Sequence, residues 1–318
     1  MKTKRVLITG GSGFLGQPLV RAFVRAGYTV RAAGRHAMSF PDPVEVVIVP
    51  DFESSIDWNP ILRGVDIVVH LAGIAHADSR KTSSVTFDQV NRIATIELAR
   101  AAKGAGVGRF LFISSVRAQT GPSSEEAVRE KDEPKPTDNY GRSKLAAELA
   151  IASMGLPFTI LRPVVIFGPQ AKGNVRTLFQ LASSPFPLPF KGFKTRRSLL
   201  SLDNFVAAVF FMLDNQHTVG ETFLIADPAP LTLAEIFTAL RKARGGSPGL
   251  IYVPPNAIRL ALTLLGQGKL WERIGHDLVV DTTKLESFGW HPAIETYEGL
   301  RLALAAETPK ANDHRPPH

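Results

Sequence analysis

The sequence predicts an α/β fold, a doubly wound parallel sheet carrying a smaller, mostly helical C-terminal region. Three observations lead there. Short apolar runs rich in β-branched residues recur through the first half, stretches with apolar residues three and four apart lie between them, and a glycine-rich turn, TGGSGFLG, closes the first run and opens the first helix. Alternation of this kind winds into parallel strands with helices on both faces.

The apolar runs at 5–9, 29–33, 44–49, 66–71, 109–114 and 158–161 read as strands. Their cores, VLI, IVV and FLFI, are almost unbroken apolar stretches, as expected of strands covered on both faces. Leu15, Leu19, Phe23 and Ala26 form one helical stripe, and Ile93, Ile96, Ala99 and Ala102 form part of another. After Arg162 the rhythm breaks. SSPFPLPFKGF, at 183–193, holds three prolines and a glycine and reads as a loop. Beyond it the pattern predicts a helix over 203–213 with Asp203 as its N-cap, a strand over 221–226, and helices over 231–244 and 255–265. The resulting division is a dinucleotide-binding domain over 1–165, rejoined by 197–228, and a substrate-binding region over 166–196 and 229–305. The polar, proline-rich stretch 306–318 reads as a flexible tail.

Composition narrows the chemistry. The chain has 318 residues, a length that suits about two domains. It contains no cysteine, which excludes disulfides, thiolate catalysis, iron–sulfur clusters and cysteine zinc sites, and which fits a cytoplasmic protein. The eight histidines show no metal-ligand spacing, so no metal is expected. The longest apolar runs, such as 206–213, fall far short of the ~18–20 residues of a membrane span. The N-terminal run is also too short for a signal peptide. A net charge of +8 suits a phosphate-bearing small molecule. With no accompanying binding motif it does not argue for nucleic acid.

Gly10, Gly13 and Gly16 have the spacing GxxGxxG and, with Phe14 and Leu15, form the turn between the first strand and helix. Glycine lets backbone approach a pyrophosphate closely, and the helix N-terminus offers that anion unpaired N–H groups. This points to a dinucleotide. The end of the second strand, VRAAGRH, lacks the acid that would accept from a ribose 2′-OH. It offers Arg35, which suits a 2′-phosphate and so NADP, or which stands on a solvated loop. Asp51 and Phe52 follow the third strand, where an acid meets an adenine amino group. Asp51 also suits a helix N-cap.

Ser115 ends the fifth strand, at the carboxyl edge where open α/β sheets bind ligands. Tyr140 and Lys144 follow in YGRSK, one helical turn apart. An ammonium beside a phenol favours phenolate, so Lys144 is expected to lower the Tyr140 pKa. A phenol tuned towards neutrality trades a proton with a sugar hydroxyl during hydride transfer. Ser115 would hydrogen-bond the same oxygen, and Lys144 would also reach the nicotinamide ribose.

Together these segments resemble the extended short-chain dehydrogenases/reductases of the nucleotide-sugar epimerase/dehydratase kind. TGGSGFLG resembles their TGxxGFxG turn. His70, Leu71, Ala72 and Gly73 resemble their HxAG strand end, and Val90, Asn91 and Thr95 their VNxxxT segment. Ser115, Tyr140 and Lys144 match the family's catalytic trio. LRP at 161–163 with FGP at 167–169, RRS at 196–198 with Asp203 and Asn204, and GWHP at 289–292 follow in order. The details are most similar to a UDP-glucose 4-epimerase-like branch. The resemblance implies a Rossmann fold and NAD or NADP bound by the glycine turn, Leu71, Ala72, Gly73 and Pro163 as well as Tyr140 and Lys144. It also implies a UDP-linked sugar as substrate and a possible homodimer.

The implied activity is epimerisation at C4 through a transient 4-keto sugar. One-way reduction of a 4-keto nucleotide sugar by NADPH is the second reading. A non-catalytic dinucleotide-binding protein is a distant third. Adjacent acids follow the Ser or Thr in the dehydratase branch; here Val116 and Arg117 stand there. Lys191, Lys194, Arg196 and Arg197 form an acid-free basic stretch suited to a diphosphate, with Arg197 at the position of the family's diphosphate arginine. Asn174 either meets the nucleotide or caps a helix. Arg273, in RIGHD, loosely resembles a second diphosphate arginine. Val165 replaces the asparagine that many relatives carry in this stretch.

Overall fold

A computed structural model describes residues 3–41, 43–75 and 83–307. Its strands are β1 (Arg5–Thr9), β2 (Thr29–Gly34), β3 (Glu45–Ile48), β4 (Ile67–His70), β5 (Arg109–Ile113), β6 (Phe158–Pro163), β7 (Val165–Phe167), β8 (Arg196–Arg197), β9 (Leu199–Ser201), β10 (Thr222–Ile225) and β11 (Leu231–Thr232). Its helices are α1 (Gly16–Arg25), α2 (Asn59–Leu62), α3 (Ser84–Phe87), α4 (Ala94–Gly104), α5 (Val116–Gln119), α6 (Asn139–Ala152), α7 (Asn174–Ser183), α8 (Leu202–Asp214), α9 (Leu233–Ala243), α10 (Pro255–Leu264), α11 (Gly268–Ile274), α12 (Thr283–Ser287) and α13 (Thr296–Glu307).

Seven strands form one sheet in the order β10-β6-β5-β4-β1-β2-β3, every neighbouring pair parallel. The side-chain period of two divides each strand between two cores. Val6 and Ile8 face α1 and α8, meeting Phe23, Phe205 and Val209. Leu7 and Val68 face α4 and α6, meeting Leu98, Ala147 and Ile151. Strand order reverses direction between β1 and β4, so loops leaving those two strands diverge and open a crevice at the carboxyl edge.

The chain leaves this sheet after β6 and returns to it at β10, where Phe223 pairs with Leu161. The segments outside build a third core from Phe167, Phe179, Phe193, Phe237, Leu240 and Leu300. The loop predicted over 183–193 is irregular after the end of α7. Several expected details move. Ser201, not Asp203, caps α8, its hydroxyl accepting from the Asn204 N–H at 3.2 Å while Asp203 sits in the first turn. The helix expected from 231 starts at Leu233, because Thr232 and Glu235 form a reciprocal capping box. The tail expected over 306–318 is helical through Glu307, and 308–318 lie outside the described residues. No described helix is long and apolar enough to cross a membrane.

Candidate active site

The crevice begins at the glycine turn. Gly10 takes φ +73°, and a Cβ there would meet the Ala72 backbone nitrogen at 3.1 Å. The turn and the HLAG segment are therefore in backbone contact. Of the three motif glycines only Gly10 has positive φ. Gly16 is needed for close approach, since its Cβ would fall 2.1 Å from the Gly10 carbonyl oxygen. Phe14 and Leu15 lean on the first core, which anchors the turn at the N-terminus of α1. A cradle closed to side chains, at a helix N-terminus on the sheet's carboxyl edge, fits a dinucleotide pyrophosphate.

Beyond β2, Arg35 occupies the expected position, and its Nη1 meets Asp51 at 3.1 Å. Both side chains are more than half exposed. Asp51 caps no helix, because a turn follows it and α2 starts only at Asn59. The Phe52 side chain is buried against Trp58.

Beneath the crevice His70 is fully buried between two hydroxyls. Its Nδ1 lies 2.6 Å from Thr9 Oγ1 and its Nε2 2.8 Å from Thr95 Oγ1. Burial, with help from the Lys144 charge, pushes its pKa down to about 3, so the ring is neutral. Thr9 Oγ1 also accepts from the Ala72 N–H at 3.3 Å, which ties β1, β4 and α4 to the HLAG segment. Asn91 lies in a π-helical turn, Asp88–Ile93. Its amide accepts from the Ile74 N–H at 2.8 Å and donates to the Ile74 carbonyl and to Ser143. Asn91 thus pins the loop after β4 against α6.

α6 carries Tyr140 and Lys144 on one face and is capped by Asp138, which accepts from the Gly141 N–H at 2.7 Å. Gly141 lets α6 press on α5, for its Cβ would fall 2.1 Å from the Arg117 carbonyl oxygen. Ser115 caps α5, accepting from the Arg117 N–H at 3.1 Å, and its side chain lies near enough to the Tyr140 phenol to act on its pKa. The structure therefore brings Ser115, Tyr140 and Lys144 together.

The expected acidity of Tyr140 does not follow. Its pKa is pushed up to about 12, chiefly by burial, with Asp138 and Glu148 adding to the rise, while Ser115 and Arg117 act the other way. The Lys144 ammonium is engaged elsewhere. It donates to the Ile113 carbonyl at 3.0 Å and lies 4.6 Å from the Phe112 ring centre. Burial brings the Lys144 pKa down to about 8 against the opposing pull of Glu148. A Cβ on Gly73 would stand 3.3 Å from Lys144 Nζ and 2.8 Å from Asn91 Oδ1, so Gly73 leaves the ammonium room at the crevice wall. Pro163 ends β6 on the same edge, buried beside β10.

Among the substrate candidates, Arg197 is half-buried. It donates to the Pro122 carbonyl at 2.9 Å and to the His276 carbonyl at 3.1 Å. Burial brings its pKa down to about 10, and the charges of Arg117 and Arg273 push the same way while Asp277 opposes them. Lys191, Lys194 and Arg196 are exposed, so the basic stretch does not act as one patch. Asn174 is exposed and is the first residue of α7. Gly173, at φ +61°, occupies the cap position expected of Asn174.

Sequence reasoning missed a buried cluster behind the crevice. Arg162 Nε lies 3.0 and 3.1 Å from the two Glu148 oxygens, its Nη1 donates to Gln119, and Ser114 donates to Glu148. Glu148 stands one turn beyond Lys144 on α6, a spacing visible in the sequence. Arg117 was noted only as the absence of an acid.

The fold and this site define a class, a dinucleotide-dependent enzyme with a Ser–Tyr–Lys cluster at the carboxyl edge of a doubly wound sheet. Residues 6–226 match the profile of the NAD dependent epimerase/dehydratase family. A UDP-glucose 4-epimerase of Vibrio cholerae is 31% identical over 313 residues, 95% of each chain. MoeE5, solved with UDP-glucose and NAD, superposes with a TM-score of 0.76 over 95% of this chain and 98% of its own, at 23% identity. A UDP-glucuronic acid 4-epimerase of Bacillus cereus, solved with NAD, gives 0.75 over the same shares at 20%. The chain belongs to the NAD-dependent epimerase/dehydratase family, within the extended short-chain dehydrogenases/reductases, and is an NAD(P)-dependent enzyme of the nucleotide-sugar kind.

Proposed function

We propose that the protein epimerises a UDP-hexose at C4. The observation that carries this reading is the juxtaposition of Tyr140 and Ser115 at the sheet edge with Lys144 beside Gly73. When bound, a nicotinamide dinucleotide would supply a site that takes up a hydride and returns it. The glycine turn would hold its pyrophosphate, and Lys144, next to Gly73, would reach its ribose. The Arg35–Asp51 ion pair partly neutralises the cation suited to a 2′-phosphate, which favours NAD over NADP.

Ser115 and Tyr140 bracket the sugar 4-oxygen. The resting phenol is protonated; it first releases that proton to solvent, and the phenolate then accepts the C4 hydroxyl proton as C4 loses a hydride and becomes a ketone. Ser115 holds the ketone oxygen in line. The sugar then turns over within the site, and Tyr140 returns the proton to the 4-oxygen as C4 is reduced on its other face. Protons and electrons balance over the cycle, so no external reductant is consumed.

The test is incubation of purified protein with UDP-glucose, UDP-galactose and their N-acetyl forms, followed by chromatographic separation. Interconversion without added cofactor, lost in Tyr140→Phe, is the expected result. Four unchanged substrates, or stoichiometric loss of NADPH on a 4-keto sugar, overturns it.

A further inference from the structure

Arg117 is held on one side only. Its Nη2 donates to Asp138 at 2.7 Å and stands 3.5 Å from Thr137 Oγ1. Its Nη1 is buried and has no hydrogen-bond partner among the described residues. A buried guanidinium N–H left unpaired costs free energy unless a ligand satisfies it.

The surroundings say which ligand. Arg117 acts electrostatically on the Tyr140 phenol at one end and on Arg197 at the other. Arg197 reaches back towards it, donating to the carbonyl of Pro122 in the loop after α5. On the far side Arg197 donates to the carbonyl of His276, just beyond α11, and feels the charge of Arg273. Its two described hydrogen bonds are to carbonyls, not carboxylates. The Arg117 and Arg197 guanidiniums thus share one stretch of the crevice wall, with the exposed Arg273 of α11 within electrostatic reach of Arg197. Asp138 pairs with Arg117, and Asp277 acts on Arg197. The remaining positive charge on this wall has the sign that attracts a diphosphate.

We propose that Arg117 is a third diphosphate ligand, donating from Nη1 to the phosphate that is attached to the sugar. This rests on the nucleotide-sugar reading above. The sugar-linked phosphate is the group that lies between a ring at Tyr140 and a second phosphate at Arg197, which is the place Arg117 occupies. Substrate binding then draws α5, β8 and α11 together through one dianion.

The test compares UMP and UDP, which differ by that phosphate, as ligands of the NAD-loaded protein by titration calorimetry. Arg117→Gln is expected to weaken UDP about ten- to a hundredfold, the range for a charge-assisted hydrogen bond, and to leave UMP unchanged. Arg117→Lys is expected to recover part of the loss. NAD affinity should not move, and the melting temperature of the ligand-free protein should fall only modestly, by the loss of the Asp138 ion pair. Equal UDP affinity in wild type and Arg117→Gln overturns the assignment, as does a loss confined to UDP-hexose, which would place Arg117 on the sugar. Parallel losses for UMP, NAD and stability would make Arg117 structural. A wild-type protein that binds neither UMP nor UDP overturns the nucleotide-sugar reading as well.

Discussion

Gly141→Ala tests whether the register between α5 and α6 sets the chemistry. The added methyl would stand 2.1 Å from the Arg117 carbonyl oxygen, 2.9 Å from its carbon and 3.0 Å from Pro136 Cβ, where ordinary contact begins at 3.4 Å. The nearest obstacle is backbone, so no side chain can rotate away. The two helices must part by roughly 1 Å, taking Tyr140 from Ser115. Overpacking of this size costs about 1–3 kcal/mol, and the better helix propensity of alanine returns up to ~1 kcal/mol. The net loss of stability is therefore small, about 0–2 kcal/mol. A misplacement of ~1 Å in the reacting groups costs roughly 100-fold in rate. The expected signature is a large fall in kcat for hexose interconversion with a modest shift in the urea midpoint. Gly104→Ala, at the end of α4 with open space at its Cβ, serves as the control and should gain up to ~1 kcal/mol with unchanged kcat. Wild-type kcat in Gly141→Ala would refute the argument that this contact positions the site.

Two further outcomes follow from the buried polar groups. His70 titrates near 6.5 when unfolded but only at about 3 when folded. The unfolded chain thus binds the extra proton between these values, and stability falls as pH drops through that window. At ~1.4 kcal/mol per pH unit the loss approaches roughly 5 kcal/mol. His70→Gln, weaker at pH 7, should show a shallower acid decline in denaturant midpoints; an unchanged slope refutes the assignment. Arg162→Met strands the Glu148 carboxylate and should cost about 3–5 kcal/mol, much of it recovered by adding Glu148→Leu. A single variant as stable as wild type by urea unfolding would contradict the buried pair.

The sheet was legible because its strands are covered on both faces, which writes runs such as VLI and FLFI into the chain with helical stripes between them. The cluster of Ser115, Tyr140 and Lys144 was legible through strand-end position and helical spacing. Its electrostatics were not. A spacing of four places Lys144 beside Tyr140 on the helix, but it does not say that the ammonium donates to the Ile113 carbonyl or that burial dominates the phenol. Cap choice failed for a similar reason. Ser201 and Asp203 are both good capping types two positions apart, and tertiary packing selects between them. Arg117 was invisible because its partners, Asp138 and Arg197, lie 21 and 80 positions away.

The late return of β10 also has a consequence for synthesis on the ribosome. About 60 residues separate the end of β6 from the strand that covers its outer edge. At ~5–20 residues per second that interval lasts about 3–12 s. Throughout it the nascent chain presents the unpaired edge of FTILRP, an apolar strand of the kind that recruits neighbouring chains. The order of elements in the gene therefore leaves a short window in which the growing chain depends on being kept apart from its neighbours, and the arrival of residues 222–225 closes it.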